Sequence, residues 1–388
     1  MVPPLADRLI GARVRGGGLD TRLVALDVAR FLAIVGMIAQ HTGSPWPVAL
    51  GYPSALFAVL SGMTAVLSTR RYVGEGRPGA ARASVAARGA VVLGFGVLLA
   101  FVPGPAVVVL IAIGLSLLVG SLFVTFRPRV LLSVAAGFAV ATPIVTVLLF
   151  RGEAPTEPVG VVLRGLLAAI VAFPYPLGQW VAFVLVGMAV ANVLERRADA
   201  RTDVGWASAL GIVCCVIAGL VAQFAPVFAS WEAALVPVDW RMIALGPEEP
   251  WLYSLVGIEP HSGGLGATVL FASVSVAVVL GLHLLLGQAP RGVLLGISPL
   301  TALGRIPLTV YVVHVVVLAA SVAWAPGLDA VPWGVVFAAH VALAMLLGLA
   351  VAQTGRRGPL EVLVSDAAAA AVARARSAEV AQGGGPES

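Results

Sequence analysis

The chain has 388 residues, 60% of them hydrophobic and only 11% charged, with a mean hydropathy of +1.01. A soluble protein of this length needs far more charge to cover its surface, so lipid is the solvent for much of it. All 24 basic residues are arginine, which excludes a P-loop nucleotide site and a lysine Schiff base; the +5 balance is spread around apolar stretches and argues against nucleic acid as a partner.

Residues 1–22 are arginine-bearing and Gly-rich and lack an apolar stretch, so they read as a cytoplasmic N-terminal segment rather than a cleavable signal peptide. A helix needs roughly 20 apolar residues to cross about 30 Å of hydrocarbon. On that criterion ten spans follow, over 23–40, 52–69, 86–102, 106–126, 130–150, 177–194, 204–223, 265–287, 300–323 and 332–354. They make residues 23–363 one polytopic, all-α membrane helix bundle. Residues 364–388 are expected as a cytoplasmic Ala/Arg-rich tail, helical at first and then disordered. Two outer loops are long. One, 151–176, carries an interfacial helix over 161–173; the other, 224–264, carries Trp231, Trp240 and Trp251, suited to interfacial anchoring or to stacking on a sugar. Cys214 and Cys215, adjacent in an apolar run, read as small core hydrophobes.

Charge sets the orientation. With the N-terminus inside, cytoplasmic segments collect twenty arginines and outer loops only Arg151, Arg164 and Arg241, with Arg30 left inside the first span. The positive-inside rule therefore predicts both termini on the cytoplasmic side and an even number of crossings. No internal repeat is visible, which weighs against a transporter built from inverted halves.

Ionisable groups inside a span are expensive and mark functional candidates. Asp27 and Arg30 are three residues apart, so they share a helix face and can neutralise each other. Arg30 and His41 are eleven apart, which is three turns plus about 20°, so both look the same way, about 16 Å apart along the axis. One reading has Arg30 hold an anion arriving from inside while His41 acts as a base near the outer mouth. The other is an ion pair plus an interfacial histidine, and spacing alone leaves both open. His261 and Ser262, just before the eighth span, fit an acceptor site or an ordinary loop turn. Tyr311 and His314 share a face of the ninth span and can bond a substrate or each other, while His283 and His340 read as packing. Arg70, Arg71 and Arg305 stand at cytoplasmic span ends, where phosphates would dock, although topology and anionic lipid also account for such arginines. No histidines have metal-ligand spacing, and no metal is expected.

Asp27-Val-Ala-Arg30 followed by His41 resembles the Arg-x10-His signature of transmembrane acyltransferases. Residues 26–41, Ser54-Ala-Leu-Phe-Ala-Val-Leu-Ser-Gly62, Pro260-His-Ser-Gly263, Gly304-Arg-Ile-Pro-Leu-Thr-Val-Tyr-Val-Val-His314 and Gly358-Pro-Leu-Glu361 resemble, in order, blocks of the YeiB-type family and its relative, the heparan-α-glucosaminide N-acetyltransferase family. The blocks extend over almost the whole chain. Phe31 stands where that family often has glycine, and the acetyltransferase's histidine has a different local context, so its substrate is not carried over.

The resemblance implies a ten-helix acyltransferase of the plasma membrane. It would move an acyl group, acetyl by default, from cytosolic acyl-CoA to an extracytoplasmic glycan, lipid or small-molecule acceptor. His41 and Arg30 are then the catalytic pair. Asp27, Arg70, Arg71, Arg305 and Tyr311 are assigned to the CoA donor, and His261, Ser262 and His314 to the acceptor. The partners are the lipid bilayer, the acceptor and, optionally, a second copy in a homodimer. The rival reading is a transporter or exporter using Asp27, Arg30 and His41 as a polar relay. A membrane-bound O-acyltransferase is disfavoured because the lone asparagine, Asn192, has no suitably placed histidine.

Overall fold

Apolar runs of about twenty residues, punctuated by proline, glycine and arginine, dictate helices, and helices dominate. The computed structural model describes residues 21–44, 51–104, 106–150, 156–171, 175–196, 263–324 and 331–383, with short pieces at 14–15, 18–19 and 327. A two-stranded ribbon, β1 (Val14–Arg15) and β2 (Gly18–Leu19), precedes thirteen described helices. They are α1 (Thr21–His41), α2 (Tyr52–Gly74), α3 (Pro78–Ala100), α4 (Leu110–Ser121), α5 (Pro128–Phe150), α6 (Pro158–Val171), α7 (Leu177–Arg196), α8 (Leu265–Gly287), α9 (Arg291–Gly296), α10 (Ser298–Gly304), α11 (Pro307–Trp324), α12 (Trp333–Gln353) and α13 (Pro359–Gly383). Ten of them begin on or next to a proline that has no N–H to leave unsatisfied, as at α2 and α3.

The protein is a polytopic helical membrane bundle. Among the described residues eight helices are long and apolar enough to cross a bilayer, and they correspond to eight of the ten spans expected from the sequence. The expected span over 204–223 lies outside the described residues. The span expected over 106–126 is a helix of only 12 residues, α4, preceded by non-helical chain. Two tyrosines account for this: the Tyr175 hydroxyl donates to Val107 O at 2.9 Å, and the Tyr311 hydroxyl accepts the Val109 N–H at 3.3 Å. Protein groups thus satisfy non-helical backbone at membrane depth, where water is not at hand.

The ninth span also differs from expectation. Pro307 cannot continue a helix, so the predicted 300–323 segment divides into α10 and α11 around Arg305–Ile306. Likewise α13 starts at Pro359, runs through the boundary expected at 363/364, and packs along α3.

Burial orders the helices. About 61–72% of the spanning window is enclosed in α1, α2 and α7, against 22–28% in α3, α5, α8 and α12, so the first three form the centre and the others face lipid. Hydrocarbon gives apolar helices no hydrophobic reason to associate, so close packing must do it. The α2–α7 crossing shows how. A Cβ on Gly62 would overlap the Val184 carbonyl oxygen, and one on Gly187 would overlap the Val59 carbonyl oxygen. Each glycine faces the residue three before the other, so the two backbones touch reciprocally. Substituting Gly62→Val must push α2 off α7, with an expected loss of about 1–3 kcal/mol of stability. Thermal unfolding in detergent should show the drop, whereas Gly137→Ala, which meets nothing within 4 Å, should leave the transition in place.

Candidate functional site

The polar side chains of α1 organise two clusters. Asp27 is fully buried and takes Arg30 at 2.8 Å, and Arg30 Nη2 donates to Thr64 Oγ1 of α2 at 2.6 Å. Thr64 in turn donates to Leu60 O at 2.7 Å, so its hydroxyl is satisfied both ways. Gly304 lets α10 close over the pair, because a Cβ there would overlap the Asp27 carbonyl oxygen. Arg30 is therefore already neutralised, which makes it a poorer receptor for an incoming anion than its spacing from His41 implied.

Arg30 borders a cavity of about 230 Å³ whose other polar walls are Ser61, Thr64, Arg88, Arg305 and Glu361. A second cavity of about 270 Å³ shares Arg305 and Glu361 and adds Arg356 and Arg357. Five arginines thus meet two carboxylates, Glu361 and the Asp27 behind Arg30. Glu361 is itself committed to the backbone of α11. Its Oε1 accepts the Leu308 and Thr309 N–H groups at 2.8 and 3.0 Å, and Oε2 takes the Thr309 hydroxyl at 2.6 Å. It caps the N-terminus of that helix, where the dipole favours negative charge. The balance at this end is positive, and Arg88 Nε is buried with no partner among the described residues.

Three turns along α1 stands the second cluster. His41 Nδ1 lies 3.2 Å from His314 Nε2 on α11. Their rings are within 2° of parallel with centroids 5.4 Å apart. That separation exceeds the nitrogen–nitrogen distance by close to two ring radii. Both nitrogens therefore lie on the line joining the centroids, and the rings meet edge to edge in one plane. Tyr311 stands against His41 at 6.0 Å, and His340 of α12 meets His314 at 5.1 Å and 84°. The imidazole of His41 is half-buried and turned to protein rather than lipid.

None of the described cavities joins the two clusters. Neither His41, Tyr311 nor His314 lines the arginine cavity, whose wall on this side includes Leu110 and Leu308. Tyr311, one turn beyond Leu308, is 1% exposed. A third cavity, about 410 Å³ between α5, α7 and α8, is lined almost wholly by Ala, Val and Leu and has no ionisable wall residue. It offers apolar volume without chemistry.

Of the residues singled out in the sequence, Asp27, Arg30 and Arg305 meet at the arginine end, and His41, Tyr311 and His314 at the other. Arg70 and Arg71 are exposed and line neither arginine cavity; Arg71 instead donates to the Tyr72 hydroxyl at 3.0 Å and lies over its ring. His261 and Ser262 lie outside the described residues. Sequence reasoning missed Arg88, Glu361 and His340 as members of these clusters. Arg88 had a readable signal, an arginine within a span expected over 86–102, the same argument that selected Arg30. The other two depend on contacts distant in the chain. Among the described residues no group of His, Cys, Asp and Glu is arranged to hold a metal.

Residues 42–220 match the family model of the heparan-alpha-glucosaminide N-acetyltransferase catalytic domain. No curated protein matches the chain. The match supports the family read from the sequence motifs, and with it a membrane acetyltransferase. It takes in α2 to α7, with Thr64 and Arg88, and begins one residue after His41. The residues of α1 and α11 therefore rest on their geometry and motifs.

The ion pair makes a sharp test. Asp27→Asn leaves a half-paired cation inside the protein and should cost about 3–5 kcal/mol, while Asp27→Asn with Arg30→Met should recover part of the loss. Unfolding midpoints of the four proteins in a double-mutant cycle measure the coupling.

Proposed function

We propose that this protein is a transmembrane acyltransferase of the plasma membrane that passes an acetyl group from cytosolic acetyl-CoA to an acceptor on the opposite side. The observation that carries the reading is the pairing of two helices. On α1, Arg30 and His41 are about 16 Å apart along the axis; Arg305 stands in the break just before α11, and His314 lies on α11 more than a turn and a half beyond its start. The two arginines share one cavity and the two histidines share one hydrogen bond. The two helices thus run side by side in the same direction, with phosphate-binding chemistry at one end and proton-transfer chemistry at the other.

In this reading the diphosphate and ribose phosphate of CoA dock on Arg88, Arg305, Arg356 and Arg357, whose planar guanidinium groups suit phosphate oxygens. The unpartnered Arg88 Nε is the best single donor for them. Arg30, held by Asp27 and Thr64, borders the path without carrying the anion. The pantetheine arm then follows α11 toward His41, which requires the Leu308–Tyr311 turn to part from Leu110. At His41 the acceptor hydroxyl or amine gives its proton to the imidazole and attacks the thioester carbonyl. The carbon–sulfur bond breaks, and the CoA thiolate leaves and is protonated. A positioned base contributes about 10²–10⁴-fold to such a step.

Purified protein in liposomes, given labelled acetyl-CoA and glycan or lipid acceptors, should transfer label to the acceptor. His41→Ala should lower kcat/KM by about 10²–10⁴-fold, and Arg88→Gln should raise KM for acetyl-CoA with less effect on kcat. Equal transfer by wild type and His41→Ala removes the histidine from the mechanism. Acceptor flux without consumption of acetyl-CoA would instead favour the transport reading.

A further inference from the structure

His340 takes no part in the mechanism above, yet its surroundings constrain the histidine that does. Its Nδ1 lies 2.9 Å from the Val336 carbonyl oxygen one turn back on α12. A carbonyl only accepts, so this nitrogen carries a hydrogen, and in the neutral ring Nε2 is left with a lone pair. That Nε2 is buried with no partner among the described residues, and so is His314 Nδ1 on the ring it touches. The two residues are 7% and 3% exposed.

One hydrogen lies between His41 Nδ1 and His314 Nε2, and its position decides the fate of both orphans. If His314 donates it, His314 Nδ1 becomes a lone pair beside a ring whose Nε2 is also a lone pair, and the two buried acceptors cannot satisfy each other. If His41 donates it, His314 must carry its own hydrogen on Nδ1. A donor and an acceptor then lie on adjoining rings with centroids 5.1 Å apart, and a ring rotation that brings them together satisfies both. Burial makes an unmade hydrogen bond expensive, so the second arrangement wins.

We infer that His41, His314 and His340 form a directed proton line in which the Val336 carbonyl, acting through His340 and His314, holds His41 in the tautomer whose Nε2 is free to accept a proton. His314 and His340 are positioning residues. When His41 Nε2 takes the acceptor's proton, its Nδ1 hydrogen moves to His314 Nε2, and the Nδ1 hydrogen of His314 moves to His340 Nε2. The positive charge is then spread away from the reacting carbonyl. The same transfers in reverse return a proton through His41 to the departing CoA thiolate. This use of the line rests on His41 being the base; the order of tautomers does not.

Solid-state NMR of protein labelled with nitrogen-15 histidine in liposomes reads each tautomer directly, and loss of signals in His41→Gln and His314→Gln assigns them. The wild type should show His41, His314 and His340 all hydrogenated at Nδ1. His340→Phe, which removes the terminal acceptor, should give mixed tautomers at His314 and His41. It should also lower kcat about 10–100-fold with KM for acetyl-CoA unmoved, a range typical of losing a group that orients a reacting ligand. His340→Gln, whose amide oxygen can accept the His314 hydrogen, should restore both. His41 hydrogenated at Nε2 in the wild type, or tautomers unchanged in H340F, overturns the line whatever the activity. The expected tautomers together with full transfer by His41→Ala uphold the line and overturn only the catalytic use.

Discussion

A charge placed in hydrocarbon must meet its opposite inside the protein, and the Asp27–Arg30 pair is where this chain meets that demand. The pair cannot face lipid, so it sets the rotation of α1 about its own axis. Thr64 extends the contact to α2, and Gly304 brings α10 against the Asp27 backbone. Because His41 lies on nearly the same face three turns later, that rotation also aims its ring at α11. A turn of α1 by half a revolution would leave both the guanidinium and the imidazole among acyl chains.

The rest of the bundle supplies what this helix needs around it. Glycines at the α2–α7 crossing allow the central helices to touch backbone to backbone, which leaves the polar side chains little freedom to reorient. The break before Pro307 has a second consequence. It creates a helix N-terminus inside the arginine-rich end, and Glu361 from the start of α13 satisfies it. The C-terminal helix is thereby tied to α11 by hydrogen bonds as well as packed along α3. A carboxylate occupied with a helix cap is less available to neutralise arginine, and the cavity beside it stays receptive to anions.

Much of this was legible in the chain itself. Apolar run length identified, among the described residues, eight helices long and apolar enough to cross a bilayer, since lipid thickness imposes the length whatever the neighbours are. The helical period placed Arg30 and His41 on a common face, and the ordered motif blocks pointed to the acetyltransferase family that residues 42–220 match. Two spans were misjudged in shape for a common reason. The hydropathy of 106–126 and 300–323 is that of a continuous helix. Non-helical chain held by Tyr175 and Tyr311, and a proline break capped by Glu361, depend on partners dozens to hundreds of residues away.

The same division runs through the candidate site. The sequence by itself determined that the protein lives in lipid, that α1 carries a self-neutralising pair, and that His41 lies beyond it on the same side, because these follow from composition and a fixed helical rise. Only the tertiary structure decided that Arg88 joins Arg305 in one cavity while Arg70 and Arg71 stay outside it. It alone brought His340, which reads as packing in its own segment, against the ring bonded to His41. Which helix faces which is a matter of packing between distant segments, and no local period records it.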